Sequence, residues 1–390
     1  MTGLLVICYK LVEKLICPYI TARDVSKKSK KPGNLTRHPG LATSPDQGAT
    51  QERNNAAMPL VSIIISSYND RDNLRECLLS LRKLDYPYYE VIVVDAGSTD
   101  GSSKMVEEEF PEVKLIRTKK IGIGEAINIG INHAKGDYIV FELNTNEVVD
   151  KNWLRALVEA INSSPDIGIA TGKKIIYGTD IIDNVGGKIG YLTGRVMSLG
   201  EGEKADIYND AMEVEWASLI LTRRDVIDTI GPCDEGYYIY FEDVDFCLRA
   251  KKAGFKIVFT PKAISWHKGS VVVGKIPLRK YYYMHRNIIR LIIKNFDVLH
   301  MLISLVWWLL IRPVAYAAMT FPPMRRLLSI TCPLCPPKTD VHEWRVLMRA
   351  IAWNLKNLRR TLRDRYRDAS MIRRKSYKGH SKPLSQGDKR

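Results

Sequence analysis

The sequence has no uninterrupted apolar stretch long enough to cross a bilayer. Residues 3–20 are broken by Lys10, Glu13 and Lys14. A span needs about 20 apolar residues, so this segment reads as a short amphipathic helix and not as a signal or anchor. Residues 298–321 come closer, but Arg312-Pro313 falls inside them. An arginine at bilayer depth costs roughly 3 kcal/mol or more, and proline kinks a helix. A re-entrant or interfacial hairpin is therefore expected over a clean span. A disulfide framework is also missing. The seven cysteines are scattered and odd in number, which suits a reducing compartment. Cys332 and Cys335 form a lone CxxC pair, short of the roughly four ligands of a structural zinc site.

Net charge is absent from the middle of the chain. Residues 1–58 hold nine Lys/Arg against four Asp/Glu, and residues 338–390 hold sixteen against five, which accounts for the whole surplus of +16. A nucleic-acid-binding domain normally carries its positive charge on the folded body, so no nucleic-acid partner is expected. Basic ends around a neutral centre suit an anionic membrane surface. Residues 21–58 are rich in Ser, Lys, Pro, Gly and Asn and read as a flexible linker. Met58 sits directly before the first strand and is a candidate alternative start. Near the other end, Trp344, Leu347, Met348, Ile351, Leu355, Leu358 and Leu362 fall on one helical stripe, with Arg and Lys away from it. This pattern predicts a helix lying in a membrane interface, with packing onto its own domain as the alternative. Residues after about 370 are expected to lack structure.

What the sequence does hold is a regular alternation. Leu60–Ser66 and Glu90–Asp95 are continuous apolar runs, as in strands buried on both faces. Val113–Arg117 and Asp137–Leu143 follow as strands. Helices are predicted between them at Asn73–Lys83, Ser102–Glu109 and Gly124–Ala134. Such alternation implies a mostly parallel sheet with helices on both faces, an α/β fold. Ligands bind such sheets at the carboxyl ends of the strands, which directs attention to the loops after Ser66, Asp95 and Leu143. Further on, Trp153–Ile161 reads as a helix and Ile167–Ile176 as a strand. The Gly-rich stretch 178–202 reads as turns, short strands and a mobile loop. Val214–Thr222 reads as a strand, Asp243–Ala253 as a helix, and Lys256–Thr260 and Ala263–His267 as two short strands.

Several residues at these loop positions suit chemistry. Asp95 closes a buried strand, where a carboxylate can accept hydrogen bonds from a base or ribose. Ser66 and Tyr68 end the first strand beside it. Glu242 and Asp243 start a helix in an apolar setting of Tyr240, Phe241 and Phe246. The glycines of Ile121-Gly122-Ile123-Gly124 lie near a helix N-terminus, where backbone N–H groups can approach phosphate.

Four stretches in order, VSIIISSYN, EVIVVDAGSTDGS, GIGEAINIGINHAKGDYIVF and YIYFEDVDFCLRAKKAGFKIVFTPKAISWHKGS, resemble family 2 glycosyltransferases of the GT-A (Rossmann-like) fold, in the rhamnosyltransferase-like branch. The resemblance covers residues 60–290. It implies an enzyme that moves a sugar from a nucleotide-diphosphate donor to an acceptor hydroxyl with inversion. It makes Asp243 the general base, with Glu242 turned to the acceptor. It places Asp95, Ser66, Tyr68, Asn144 and Asn146 around the nucleotide sugar, and His267 near the metal or diphosphate. Relatives carry Asp-x-Asp, or Asn-x-Asp, where this chain has Asn144-Thr145-Asn146. Mg²⁺ and Mn²⁺ prefer carboxylate oxygens. Three readings stay open: a weak divalent-cation site using Asn146, Glu147 and His267; metal-independent transfer using basic residues; or a degenerate site in a membrane-bound, catalytically inactive binding module. The expected organisation is an N-terminal helix and linker over 1–58, the transferase domain over 59–290, a membrane-associating apolar segment over 291–337, and a basic amphipathic helix with a tail over 338–390. A lipid-linked glycan acceptor at the cytoplasmic side of the membrane fits this organisation.

Overall fold

The computed structural model describes residues 58–269, 278–314 and 341–380. The expectations for residues 3–57, the Cys332/Cys335 pair and the second limb of the apolar hairpin lie outside these. Two compact units divide the chain. Among the described residues, the larger holds 58–188, 197–269 and 359–380, and the smaller holds 189–196, 278–314 and 341–358.

The larger unit is built on one sheet. Strands β1 (Val61–Ser67), β2 (Tyr89–Asp95), β3 (Lys114–Arg117) and β4 (Tyr138–Phe141) pair in parallel in the order β3-β2-β1-β4. Beyond β4 comes β11 (Ile220–Arg223), antiparallel to both β4 and β6 (Ile167–Ile176). β12 (Lys256–His267) lies parallel to β6, and β10 (Met212–Glu213) and β5 (Glu147–Val149) pair antiparallel with β12.

Side chains alternate across each strand. Val61, Ile63 and Ile65 face one core, with α1 (Arg71–Leu81), α2 (Ser102–Glu109) and α4 (Trp153–Asn162). Trp153, Leu154, Leu157 and Ile161 of α4 are fully buried, each contributing on the order of 2 kcal/mol. On the opposite face Ile92, Val94 and Ala126 form a second core under α3 (Ile123–His133). Gly130 brings α3 against the sheet, since a Cβ there would meet Ile64 Cγ2 at 2.4 Å.

Two expectations for the second half are corrected. Val214–Thr222 is not one strand: β10 ends at Glu213, and only Ile220–Arg223 pairs in β11. The two short strands expected at 256–260 and 263–267 are one, β12, running through Pro261 across a register shift between Phe259 and Ile264. The shift brings the backbone close, since a Cβ on Gly172 would meet the Ala263 carbonyl at 2.2 Å. The Gly-rich stretch holds short strands, as expected: β7 (Ile182–Asn184), β8 (Gly187–Gly190) and β9 (Arg195–Ser198).

In the smaller unit, α7 (Leu278–Asn295) runs across the boundary expected at 290. It is followed by α8 (Val298–Val306), capped by Asp297, and by a π-turn at Trp307–Ile311. α9 (Val341–Lys356) packs along α7, and Asn354 Nδ2 donates to the Arg286 carbonyl at 2.9 Å. Val346, Leu347, Ala350 and Ile351 are buried. The apolar stripe expected to lie in a membrane is split: Leu347 and Ile351 are buried, while Met348, Leu355 and Leu358 are exposed. The stripe also breaks at Asn357, after which α10 (Leu358–His380) begins. Helix thus continues to residue 380, past the point where structure was expected to end.

Candidate active site

The loops after β1, β2 and β4 meet at the carboxyl edge of the parallel strands, and side chains stitch them together. Asn69 adopts a left-handed backbone, φ 49°, a conformation asparagine tolerates better than most residues. Its Oδ1 accepts from Thr99 N–H at 2.7 Å, and its own N–H donates to Ser98 Oγ at 2.9 Å. The Thr145 hydroxyl donates to the Asp70 carboxylate. The sequence reading passed over Asn69 and Asp70, although both stood in the turn that bounds β1.

Asp95 lies at this edge, 3% exposed. Its Oδ1 accepts from Ser98 N–H at 2.9 Å, and its Oδ2 accepts from the Ser103 hydroxyl. It therefore shapes the loop that follows it. Asp100 caps α2 by accepting from Ser102 N–H at 3.0 Å. Ser66 is half-buried, while the next residue, Ser67, is buried with its hydroxyl unpartnered among the described residues. β1 runs one residue further than expected, and Ser67, directly opposite Asp95, joins the site. Tyr68 is 44% exposed, with Lys120 Nζ 2.7 Å from its hydroxyl and 4.0 Å above its ring.

The glycines of residues 122–124 serve a different purpose from the one expected. The first N–H of α3, on Ile123, donates to the Tyr238 carbonyl at 2.7 Å. A Cβ on Gly122 would meet that same oxygen at 2.7 Å, and one on Gly124 would meet the Asp234 carbonyl at 3.3 Å. The helix terminus is filled by protein and is no phosphate cradle. These glycines admit the segment that carries the carboxylates.

That segment, residues 231–241, follows α5 (Arg224–Ile230) and is clasped from several sides. Asn128 on α3 donates to the Cys233 carbonyl at 3.0 Å and to Glu235 Oε1 at 2.9 Å, and accepts from Cys233 N–H at 2.9 Å. Arg249, on α6 (Glu242–Lys252), donates to the carbonyls of Ile230, Gly231 and Pro232 at 2.7 to 3.1 Å. Asp245, fully buried, accepts from Arg249 Nε at 2.8 Å and from the Tyr237 hydroxyl at 3.2 Å, a structural ion pair. Three non-glycine residues just before α6 take positive φ: Tyr238 at 67°, Tyr240 at 67° and Phe241 at 74°. Each costs on the order of 1–3 kcal/mol.

The outcome is a group of three carboxylates. Asp243 Oδ1 accepts from Val244 N–H at 2.8 Å. Glu242 is 3% exposed. Glu142, left-handed at φ 62° where β4 ends, joins them. Glu142 Oε1 and Glu242 Oε2 are buried and have no hydrogen-bond partner among the described residues. Burial first, and the neighbouring Asp243 charge second, push Glu242 up to about 8. Burial likewise raises Asp243 to about 6, against the opposing pull of the Val244 N–H and of Lys174. Glu142 is held well above the carboxylate range by burial and by the charges of Glu242 and Asp243. Its approach to Glu242 spans a hundred residues of chain and has no local signature.

The residues expected to bind a divalent cation are arranged otherwise. Glu147 is fully buried, and its Oε1 accepts from Lys174 Nζ at 2.6 Å and from Asn144 Nδ2 at 2.7 Å. Ser265 Oγ lies 3.4 Å from its other oxygen. Asn146 Nδ2 donates to the Gly269 carbonyl at 3.4 Å. His267 Nδ1 lies 3.1 Å from Asp183 Oδ2, and Lys268 pairs with Glu76 at 2.5 Å. No group of three or more His, Cys, Asp or Glu suited to a metal ion exists among the described residues. As they stand, Asn146, Glu147 and His267 do not fit Mg²⁺ or Mn²⁺.

Comparison with known proteins places this architecture. The sequence model for glycosyl transferase family 2 matches residues 62–231. Glycosyltransferase AglE of Haloferax volcanii is 26% identical over 263 residues, covering 66% of this chain and 82% of that protein. The O-antigen biosynthesis protein RfbC of Myxococcus xanthus is 26% identical over 228 residues, 54% of this chain and 17% of RfbC. The chain spans 25% or less of the length of the longer curated relatives among these matches. Among solved structures, the mannosyltransferase PcManGT of Pyrobaculum calidifontis, in complex with GDP-Man and Mn²⁺, superposes with a TM-score of 0.50 at 18% identity, covering 77% of this chain and 88% of that one. Residues 62–231 thus match the glycosyl transferase family 2 model, and the larger unit of the chain has the GT-A fold.

Proposed function

We propose that this chain transfers a sugar from a nucleotide-diphosphate donor to an acceptor hydroxyl with inversion, using Asp243 as the general base. The observation that carries this reading is the carboxylate group at the start of α6. With a pKa near 6, Asp243 is largely ionised at neutral pH and able to take a proton. Glu242, pushed to about 8, stays largely protonated there and can donate a hydrogen bond while Asp243 accepts one. Glu142 and Glu242 present unpartnered oxygens, which acceptor hydroxyls would satisfy. On this reading the donor base packs beside Tyr68, with Ser66, Ser67 and the Asp95 loop beneath it and Asn144 and Asn146 towards the diphosphate.

The acceptor is proposed to be a lipid-linked glycan, met at the cytoplasmic surface of a membrane. Support comes from the smaller unit. Val298, Leu299, Leu302, Ile303, Val306, Leu310 and Val314 are all exposed, and they occupy one broad arc of α8 and its extension. On the opposite side, Ser304 Oγ and Trp308 Nε1 donate to the Tyr191 and Thr193 carbonyls, each at 2.7 Å. Such a helix, fixed on one side and apolar on the other, suits docking into a headgroup layer. No helix among the described residues is long and apolar enough to cross a membrane.

The test is nucleotide release from UDP-, GDP- and dTDP-sugars with membrane lipid extract as acceptor. Acceptor-dependent release is expected, falling about 100- to 10,000-fold in Asp243→Asn while donor binding persists. The engaged Glu147 and the two loop asparagines favour a second reading, a catalytically inactive binding module. Donor binding without release across the panel would select it.

A further inference from the structure

We infer that the loop after β4 is electrically complete without a resident divalent cation: Lys174, locked to the Glu147 carboxylate that Asn144 also holds, is its fixed cation, and the donor diphosphate meets a neutral loop. The inference rests on the transferase reading above and concerns how that site receives its donor.

Glu147 is the only carboxylate in the segment 144–147. One of its oxygens already holds the Lys174 ammonium at 2.6 Å and the Asn144 amide at 2.7 Å. Lys174 and Glu147 are 4% and 0% exposed. A metal ion on Glu147 would have to evict a buried ammonium or sit beside it. Either course leaves a buried charge uncompensated, which is strongly unfavourable.

Asn144 belongs to the same arrangement. Its Nδ2 donates to Glu147, and an aspartate in its place would set one acceptor against another. The asparagine is thus what the ion pair requires of this position. Asn146 likewise uses its amide nitrogen, on the Gly269 carbonyl. What remains for a cation is amide oxygen without charge, a poor donor set for Mg²⁺ or Mn²⁺.

Charge counting agrees. A loop with two free aspartates carries two negative charges and repels a diphosphate until a divalent cation neutralises it. Here Glu147 and Lys174 cancel, and residues 144–146 are neutral. The neutrality a metal would bring is built from side chains, and Lys174 also pulls on Asp243 and Glu142. One lysine therefore serves both the donor loop and the carboxylate group.

The experiment has two independent readouts on the full chain. The first is a Mn²⁺ titration followed by the electron paramagnetic resonance signal of free Mn²⁺. The second is calorimetric binding of UDP, GDP and dTDP in Mn²⁺ and in EDTA. The wild type is expected to leave Mn²⁺ free, and to bind its preferred nucleotide with less than about a twofold difference between Mn²⁺ and EDTA. Lys174→Met releases Glu147 and is expected to gain Mn²⁺ affinity by about tenfold or more. One equivalent of Mn²⁺ bound tightly by the wild type, or nucleotide binding abolished by EDTA, overturns the inference. The wild-type Mn²⁺ titration decides even where the variant does not fold. Failure of all three nucleotides to bind under every condition defeats the transferase reading instead, while the titration still reports on the loop.

Discussion

Replacing Glu242 with glutamine removes one of three crowded acids without changing its shape, and the structure fixes the sign of the effect. Burial and the neighbouring charge raise Glu242 from its ordinary 4.5 to about 8 in the folded protein. The folded state therefore binds this proton more tightly than the unfolded state. The stability that comes with the proton is fully present below about 4.5 and is lost as pH rises through about 8. Forcing the full ionisation in place would cost on the order of 4–5 kcal/mol. Some of that strain is shared with Asp243 and Glu142, so a net gain of ~2–4 kcal/mol for the glutamine variant at pH 9 is a reasonable magnitude. Near pH 5 the two proteins should be almost equally stable. In thermal unfolding the variant should melt about 5–10 °C above the wild type at pH 9, and within about 2 °C of it at pH 5. A gap that stays constant with pH, or a variant that is less stable at pH 9, would refute the placement of Glu242 in an unsatisfied carboxylate group.

Gly122→Ala drives a methyl group into the Tyr238 backbone. It should destabilise by about 1–3 kcal/mol, and nucleotide release should fall more than donor affinity does, because the strap behind Asp243 shifts. Arg249→Met removes the Arg249 guanidinium from the buried Asp245 and its hydrogen bonds to three carbonyls. Urea unfolding at pH 7 should show a loss of about 3–5 kcal/mol. The double variant Leu302→Asp/Leu310→Asp should float less with anionic liposomes than the wild type while keeping the same circular dichroism spectrum. Equal flotation would remove the exposed arc of α8 as a membrane contact.

The parallel half of the sheet was legible because its strands are continuous apolar runs and its helices carry clear stripes. Ser102–Glu109 and Ile167–Ile176 have the predicted ends, and Glu242 and Asp243 stand together at the start of a helix, as its apolar stripe predicted. What failed to show was non-local. Pro261 reads as a strand breaker, yet β12 passes through it on a register shift. Gly122 and Gly124 look like phosphate-binding glycines, and only the fold reveals Tyr238 and Asp234 against them. Glu147 reads as a spare ligand until Lys174, 27 residues away in sequence, is seen beside it. Pattern reading detects periodicity within one element, and these contacts each join two.

The run of left-handed residues at 238, 240 and 241 also bears on how the protein opens. This strap has almost no regular structure of its own, and its backbone stores on the order of 3 kcal/mol or more. Asn128, Arg249 and Ile123 hold it shut from outside. Releasing those clasps relieves strain, so the strap is poised to open as a local unit at a free energy below that of global unfolding. Its amides should exchange with solvent faster than those of β1 and β2. Mild denaturant should then silence the protein while the sheet remains intact, making the aim of Asp243 a property of this strap and not of the fold's overall stability.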